Sequence, residues 1–284
     1  MPPADKVVAT PDQVALVERS SGTRVPVPDG SIRSFVADRR FVTLFLVDVW
    51  ERFSFYGMQA LLFLYAVTPT SAGGLGLDAG TGAAVFGLYL AAVFAASLPG
   101  GWISDHLIGP RWAMVAGAVT IAAGHYVLAV PLTATFGPGL ALVAIGTGLL
   151  KPSLPVVFGM LYPRASSSLR ETAFTLFYTS IQVSALIAPL VTGYLGERIN
   201  WHVGFGAAAI GMTIGLLRLL HGLRHDGLGG TTAPHPAPSE VRRRVLHRTG
   251  LITGVLAFVL GVAVVNGKFR LEQPLGLLGV TCLV

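Results

Sequence analysis

Apolar positions in this chain fall in long blocks separated by short polar stretches. The first block, 41–67, reads FVTLFLVDVWERFSFYGMQALLFLYAV. Others follow at 83–103, 112–130, 136–161, 172–195 and 203–220. Each is near the ~20 residues that a helix, rising ~1.5 Å per residue, needs to cross a ~30 Å hydrocarbon core. A seventh block, 251–265, is shorter, and an eighth opens near residue 275 and is still apolar at Val284. Membrane strands would be about 9–11 residues long and would alternate. The pattern therefore predicts an all-α membrane protein. A polar tail, 1–40, precedes a six-helix bundle over 41–221. A Gly- and Pro-rich linker, 222–248, follows, and then a further transmembrane hairpin, 249–284.

Composition narrows the class. Hydrophobic residues make up 52% and charged residues only 12%, against about 25% charged in soluble domains. Mean hydropathy is +0.67. The tail has no apolar core, so it is not a cleavable leader. Cys282 is the single cysteine, which excludes a disulfide within the chain.

The net charge of +6 does not point to nucleic acid, because its placement has another reading. Lys6, Arg19, Arg24, Arg33, Arg39 and Arg40 precede the first block. Arg111, Arg164, Arg170, Arg218, Arg224 and Arg242 to Arg244 occupy alternate junctions. The intervening loops, 68–81 and 131–135, carry no Lys or Arg, and only Arg198 falls on that side. This positive-inside asymmetry predicts a multi-pass protein of the cell membrane with its N-terminus in the cytoplasm.

Against that background the charges inside the blocks stand out. Asp48, Glu51, Arg52, Phe55 and Gln59 fall within roughly a 100° sector of one helix, with Tyr56 at its edge. Lys151 lies inside the fourth block, followed by Pro152 and Pro155. Prolines free backbone carbonyls one turn earlier, which is tolerated where the helix lines a cavity or where neighbours re-satisfy the freed groups. Glu51 falls about 15 Å and Lys151 about 18 Å from the same face, so a Glu51–Lys151 or a Glu51–Arg52 pair is geometrically open. Phe94, Tyr178 and Gln182 fall near the same level. Ionisable groups at that depth are costly and mark functional sites, and secondary transporters bind substrate near the midplane.

Other chemistry is thin. His125 is the one histidine inside a block, and no His, Cys or acidic set has metal-ligand spacing. The small-residue run GAVTIAAG reads as helix packing. No Gly-rich stretch follows a strand, so no nucleotide loop is expected. A membrane-embedded enzyme is disfavoured, since no nucleophile–base set appears.

These residues carry a resemblance. DVWERFSFYG is similar to the first-helix signature E-x-x-E-R-F-x-Y-Y-G of the proton-dependent oligopeptide transporter (POT/PTR) family of the major facilitator superfamily. GTGLLKPS resembles its fourth helix with a buried lysine, and FYTSIQVSALIAP its fifth-helix signature F-Y-x-x-I-N-x-G-S-L. GGWISDHLIGPR resembles the superfamily loop between helices two and three, and GYLGERINWHVGFG is similar to the family after its fifth helix. The resemblance spans roughly residues 40–222. It implies the N-terminal bundle of a two-bundle fold, the C-terminal bundle being absent here, and proton-coupled import of di- and tripeptides by alternating access. It implies Asp48, Glu51, Arg52 and Lys151 as the proton-coupling set. Phe55, Tyr56, Gln59, Phe94, Lys151, Tyr178 and Gln182 become substrate-binding positions, and Asp105, Gly109 and Arg111 a conformational loop. No cofactor is expected beyond the proton. The implied partners are a small peptide or peptide-like substrate and the lipid bilayer.

The departures weigh on specificity. Phe55 and Phe94 stand where the family has tyrosines, Gln59 where peptide-transporting members have arginine, and Gln182 where the fifth helix has asparagine. Losing a cation and two hydroxyls weakens recognition of a zwitterionic backbone, which leaves an unusual peptide or another small solute as substrate. A non-transporting membrane subunit or sensor-like relative stays open as an alternative. The cut eighth block gives a further expectation: either an inactive truncated fragment or a half-transporter that associates with itself or with a missing C-terminal half, and no transport by the single chain.

Overall fold

The computed structural model describes residues 31–162 and 166–228, together with residues 238, 240, 241 and 243. The expected spans at 251–265 and beyond 275 lie outside the described residues. Among those described, a short helix α1 (Ile32–Ala37) precedes six long ones: α2 (Arg39–Val67), α3 (Ala79–Ile103), α4 (Pro110–Ala129), α5 (Thr133–Gly159), α6 (Ser167–Arg198) and α7 (Trp201–His225). No strand occurs among them. Five helices, α3 to α7, are long and apolar enough to cross a membrane. The remaining long helix, α2, has 29 residues and carries Asp48, Glu51 and Arg52 in its middle.

Short connections force neighbouring helices to alternate in direction. The end carrying Asp38, Ser104, Tyr162 and Asp226 is therefore common to the start of α2, the ends of α3, α5 and α7, and the start of α4. α2 packs on α6 and α7 and touches α3 and α5. α4 packs on α5 and α7, and α3 on α5. Helix starts follow local chemistry: Ser31, Asp38, Asp78, Ser166 and Asn200 each cap the helix that follows with a side-chain oxygen, as N-cap residues do. A π-helical turn, Ser104–Ile108, closes α3. Gly109 at φ 82° then turns the chain into Pro110, the first residue of α4; a side chain is strained at that φ, and proline suits the first helical position.

Glycines bring the helices together. A Cβ on Gly117 would lie 2.7 Å from the Gly146 carbonyl oxygen, and one on Gly124 would lie 2.9 Å from that of Gly139. The run GAVTIAAG is thus the contact by which α4 meets α5, as small residues permit in membrane helices. The closest approach joins α3 to α5. A Cβ on Gly100 would lie 2.0 Å from the Gly148 oxygen, the carbonyl whose usual donor is missing at Pro152. α5 runs unbroken from Thr133 to Gly159 with Pro138, Pro152 and Pro155 inside. Neighbouring backbone packs against the freed carbonyl, and the Ser153 hydroxyl donates to the Leu149 oxygen at 2.7 Å.

The start of α2 is clamped twice. The tail, expected to run to residue 40, ends earlier, because α1 buries Phe35 against Phe41 and Tyr162. Arg40 donates to both Asp38 oxygens, at 3.1 and 2.8 Å, and the Tyr162 hydroxyl donates to Asp38 at 2.9 Å. On the other side Asp226 accepts from Thr43 at 2.7 Å and pairs with Arg218 at 3.1 Å. α7 therefore runs beyond its expected end at Leu220, so that Asp226 reaches α2.

Two expectations follow. Gly100→Ala should destabilise the bundle by about 1–3 kcal/mol through overpacking, read as a lower melting temperature in detergent. The control is Gly87→Ala on the same helix, with nothing within 4 Å of its Cβ, which should be neutral or stabilising by up to about 1 kcal/mol. The second concerns pH. Burial pushes the Asp38 carboxyl up, but the Arg40 hydrogen bond and charge, with the Tyr162 hydroxyl, outweigh it and hold it below its ordinary value. A depressed carboxyl stabilises above its unfolded pKa and loses that contribution as pH falls through the folded one. Asp38→Asn should therefore lower the melting temperature at pH 7, and the difference should close as pH falls below about 4.

Candidate functional site

Three ionisable residues within five positions of α2 must share one interior. Asp48 and Glu51 are each 1% exposed, and the Arg52 side chain is 12% exposed. Arg52 Nε lies 3.5 Å from Asp48 Oδ1 and 3.4 Å from Glu51 Oε2, which is ion-pair distance to both acids. Across the α2–α6 contact the Ser180 hydroxyl donates to Asp48 Oδ2, and the Ser184 hydroxyl donates to the Val49 oxygen at 2.9 Å. The Glu51 oxygens accept no hydrogen bond. A single cation facing two carboxylates leaves one negative charge in excess.

Lys151 supplies the balancing charge from α5. Its Nζ sits 3.9 Å from the centre of the Phe55 ring and 5.3 Å from that of Phe94. It forms no ion pair with Glu51 within 4.0 Å, though the two charges are within electrostatic reach. Of the two pairings open from the sequence, Glu51–Arg52 is the one formed. The lysine is held instead on two aromatic faces, a contact worth about 0.5–2 kcal/mol, more where water is excluded. Phe55 is 7% exposed and Phe94 60% exposed, so the ammonium stands where the packed interior meets an open face.

The structure separates the sequence-derived candidates into groups. Asp48, Glu51, Arg52, Phe55, Lys151 and Phe94 come together. Tyr56 packs edge-on to Phe55 at 5.5 Å and, like Gln59, is half-buried. Tyr178 and Gln182 are exposed on α6; the ring contacts of Tyr178 are with Phe174 and Phe177 of its own helix. Asp105, Gly109 and Arg111 lie at the α3–α4 turn at one end of the bundle. There the Arg111 guanidinium lies 5.3 Å from the Trp112 ring centre. The polar stripe expected to line a cavity is mostly packed instead: Asp48, Glu51 and Phe55 are buried, and so are Phe53, Ser54 and Gly57 on the opposite side. α2 is covered on most of its surface, because α7 and α6 pack on the faces that α3 and α5 do not, while Tyr56 and Gln59 stay half-buried.

Some residues of the site carry weak sequence signals. Ser180 and Ser184 are one turn apart in an apolar helix, a spacing that marks a hydrogen-bonding face. Tyr89 is 4% exposed, its hydroxyl has no partner, and it lies within electrostatic reach of Glu51; nothing in its spacing distinguishes it from a core aromatic. His125, fully buried, shares a hydrogen bond with Ser54. Among the described residues no group of three His, Cys, Asp or Glu is placed to hold a metal ion.

Comparison with known proteins places this arrangement. Residues 111–226 match the PTR2 model, described as the POT family. An uncharacterised transporter, YclF of Bacillus subtilis, is 36% identical over 85% of this chain and 49% of its own length. A di-/tripeptide transporter of Lactococcus lactis is 39% identical over 84% of this chain and 47% of its own. The crystal structure of a peptide transporter POT in complex with sulfate superposes with a TM-score of 0.77 at 36% identity, over 86% of this chain and 50% of that one. A POT family transporter in complex with 5-aminolevulinic acid gives 0.75 at 33% identity, over 87% and 50%. The chain thus spans about half the length of the curated relatives it matches.

Proposed function

From the chain's membership in the POT family, as the counterpart of the N-terminal half of its transporters, we propose that it is the proton-coupling half of a symporter. That symporter imports di- or tripeptides, or a related small solute, by alternating access. The observation that carries this reading is the buried set of two carboxylates, Asp48 and Glu51, and two cations, Arg52 and Lys151, with one cation at an open face.

The chemistry follows from charge balance. With both acids ionised the four charges sum to zero, and an anionic ligand arriving at Lys151 would leave the interior negative. A proton on Glu51 removes one negative charge and frees Arg52 from one of its two partners. The carboxylate of a peptide then restores neutrality at Lys151. Proton and ligand each lower the electrostatic cost of binding the other, which is a coupling free energy between two sites. Phe94 and Phe55 flank the lysine, and in this reading Tyr56 and Gln59 of α2 and the exposed Tyr178 and Gln182 of α6 supply further substrate contacts. The α3–α4 turn with Asp105, Gly109 and Arg111 acts as the conformational loop. The opposing wall comes from a C-terminal half or from a second copy. The protein lies in the cell membrane with its N-terminus in the cytoplasm, on the side of the basic junctions.

Two results are expected in a full-length transporter carrying this bundle. Glu51→Gln should abolish pH-driven accumulation and retain counterflow exchange, because the neutral side chain mimics the protonated acid but takes up no proton. Unchanged pH-driven uptake would sink the assignment. Dialanine should bind weakly, since Phe55, Phe94 and Gln59 offer neither hydroxyl nor cation. The triple change Phe55→Tyr, Phe94→Tyr and Gln59→Arg should raise its affinity about tenfold or more, at roughly 1 kcal/mol per added hydrogen bond; equal affinity in parent and variant would remove these positions from specificity.

A further inference from the structure

We propose that Tyr89 is the alternate partner of Glu51: its hydroxyl holds whichever Glu51 oxygen Arg52 releases. This rests on Glu51 as the proton-carrying acid. Two observations carry it. Both oxygens of the Glu51 carboxylate and the hydroxyl of Tyr89 are buried and without a hydrogen-bond partner. Native interiors rarely leave such groups unpaired, and each exception asks for an explanation. The two groups also lie within electrostatic reach of one another across the α2–α3 contact. A donor lacking an acceptor therefore shares the interior with an acceptor lacking a donor, and a hydrogen bond between them would satisfy both.

The surroundings make Tyr89 the remaining choice. From α2 itself Asp48 repels Glu51 and Arg52 attracts it, while Tyr56 bears on Arg52. From α5 Lys151 attracts it but rests on the Phe55 and Phe94 rings. From α6 Ser180 is spent on Asp48, and from α4 His125 meets Ser54 through Nε2 while its Nδ1, like the Tyr89 hydroxyl, has no partner. α7 presents Gly211 and Gly215 to Trp50 and Phe53. Among these groups Tyr89 is the unpartnered donor that also lies within electrostatic reach of Glu51. It donates a hydrogen bond and keeps its proton throughout. Its effect is to hold Glu51 as a carboxylate in the interval after its proton leaves and before Arg52 returns to it.

The test reads Glu51 directly and does not require transport. The purified chain is placed in lipid nanodiscs, and pH-difference infrared spectra are recorded for the parent, Glu51→Gln, Asp48→Asn and Tyr89→Phe. The protonated-carboxyl band lost in Glu51→Gln and kept in Asp48→Asn identifies Glu51. Tyr89→Phe preserves the ring and its packing. Removing the donor takes a hydrogen bond from the carboxylate, so the Glu51 carboxyl bands should be displaced in frequency from those of the parent. Unchanged Glu51 band positions in Tyr89→Phe would overturn the proposal. Uptake measured with Glu51→Gln reports on the symport reading separately, so the two fail independently.

Discussion

Burying four charged side chains at one level of a helical bundle is the constraint on which the rest of this structure depends. Moving a single ion from water to a protein interior costs several kcal/mol even after relaxation. The interior tolerates Asp48, Glu51, Arg52 and Lys151 because they balance, two against two. Removing one partner from such a set leaves an uncompensated buried charge, at a cost of about 3–5 kcal/mol. That requirement explains why α2 is enclosed. A helix with three charges in five positions cannot face lipid, so α6 and α7 seal one side of it while α3 and α5 bring Tyr89, Phe94 and Lys151 to the other.

Enclosure in turn depends on close backbone approach. α5 carries the lysine to the level of Glu51 while packing on α3 and α4. Glycine faces at Gly100, Gly117, Gly124, Gly139, Gly146 and Gly148 let those three helices meet with carbonyls nearly touching Cα atoms. Pro152 fits the same scheme. It removes a backbone donor one residue after Lys151, at the place where α3 comes closest, so the carbonyl without a donor is covered by packed backbone and kept from lipid. The Asp38 and Asp226 clamps then fix the start of α2 to α5 and α7, which sets the depth of the charge cluster at about ten residues further along.

Much of this is legible along the chain because the membrane simplifies the code. A block of about twenty apolar residues permits one solution, a spanning helix, so the extents of α3 to α7 follow from block lengths to within a few residues. Charges inside a block are equally plain, since any of them at that depth requires a reason. Asp48, Glu51, Arg52 and Lys151 stand out for that cause alone, and the matching depths of Glu51 and Lys151 follow from counting residues. The wider pattern of motifs, ordered along one chain, gives the family.

The sequence by itself therefore determined the class, the helix blocks, the charged level and the kinship. Tertiary structure alone decided the partnerships. Arg52 chose both acids over leaving one to Lys151, Lys151 chose two aromatic faces, Ser180 joined Arg52 at Asp48, and the Tyr89 hydroxyl was left buried without a partner. The continuity of α5 through its prolines was decided the same way. The physical reason is that depth is a one-dimensional property, fixed by the count of residues from the membrane face. Pairing depends on rotation about each helix axis and on which neighbour lies across the contact, and no periodicity within a single helix contains that information.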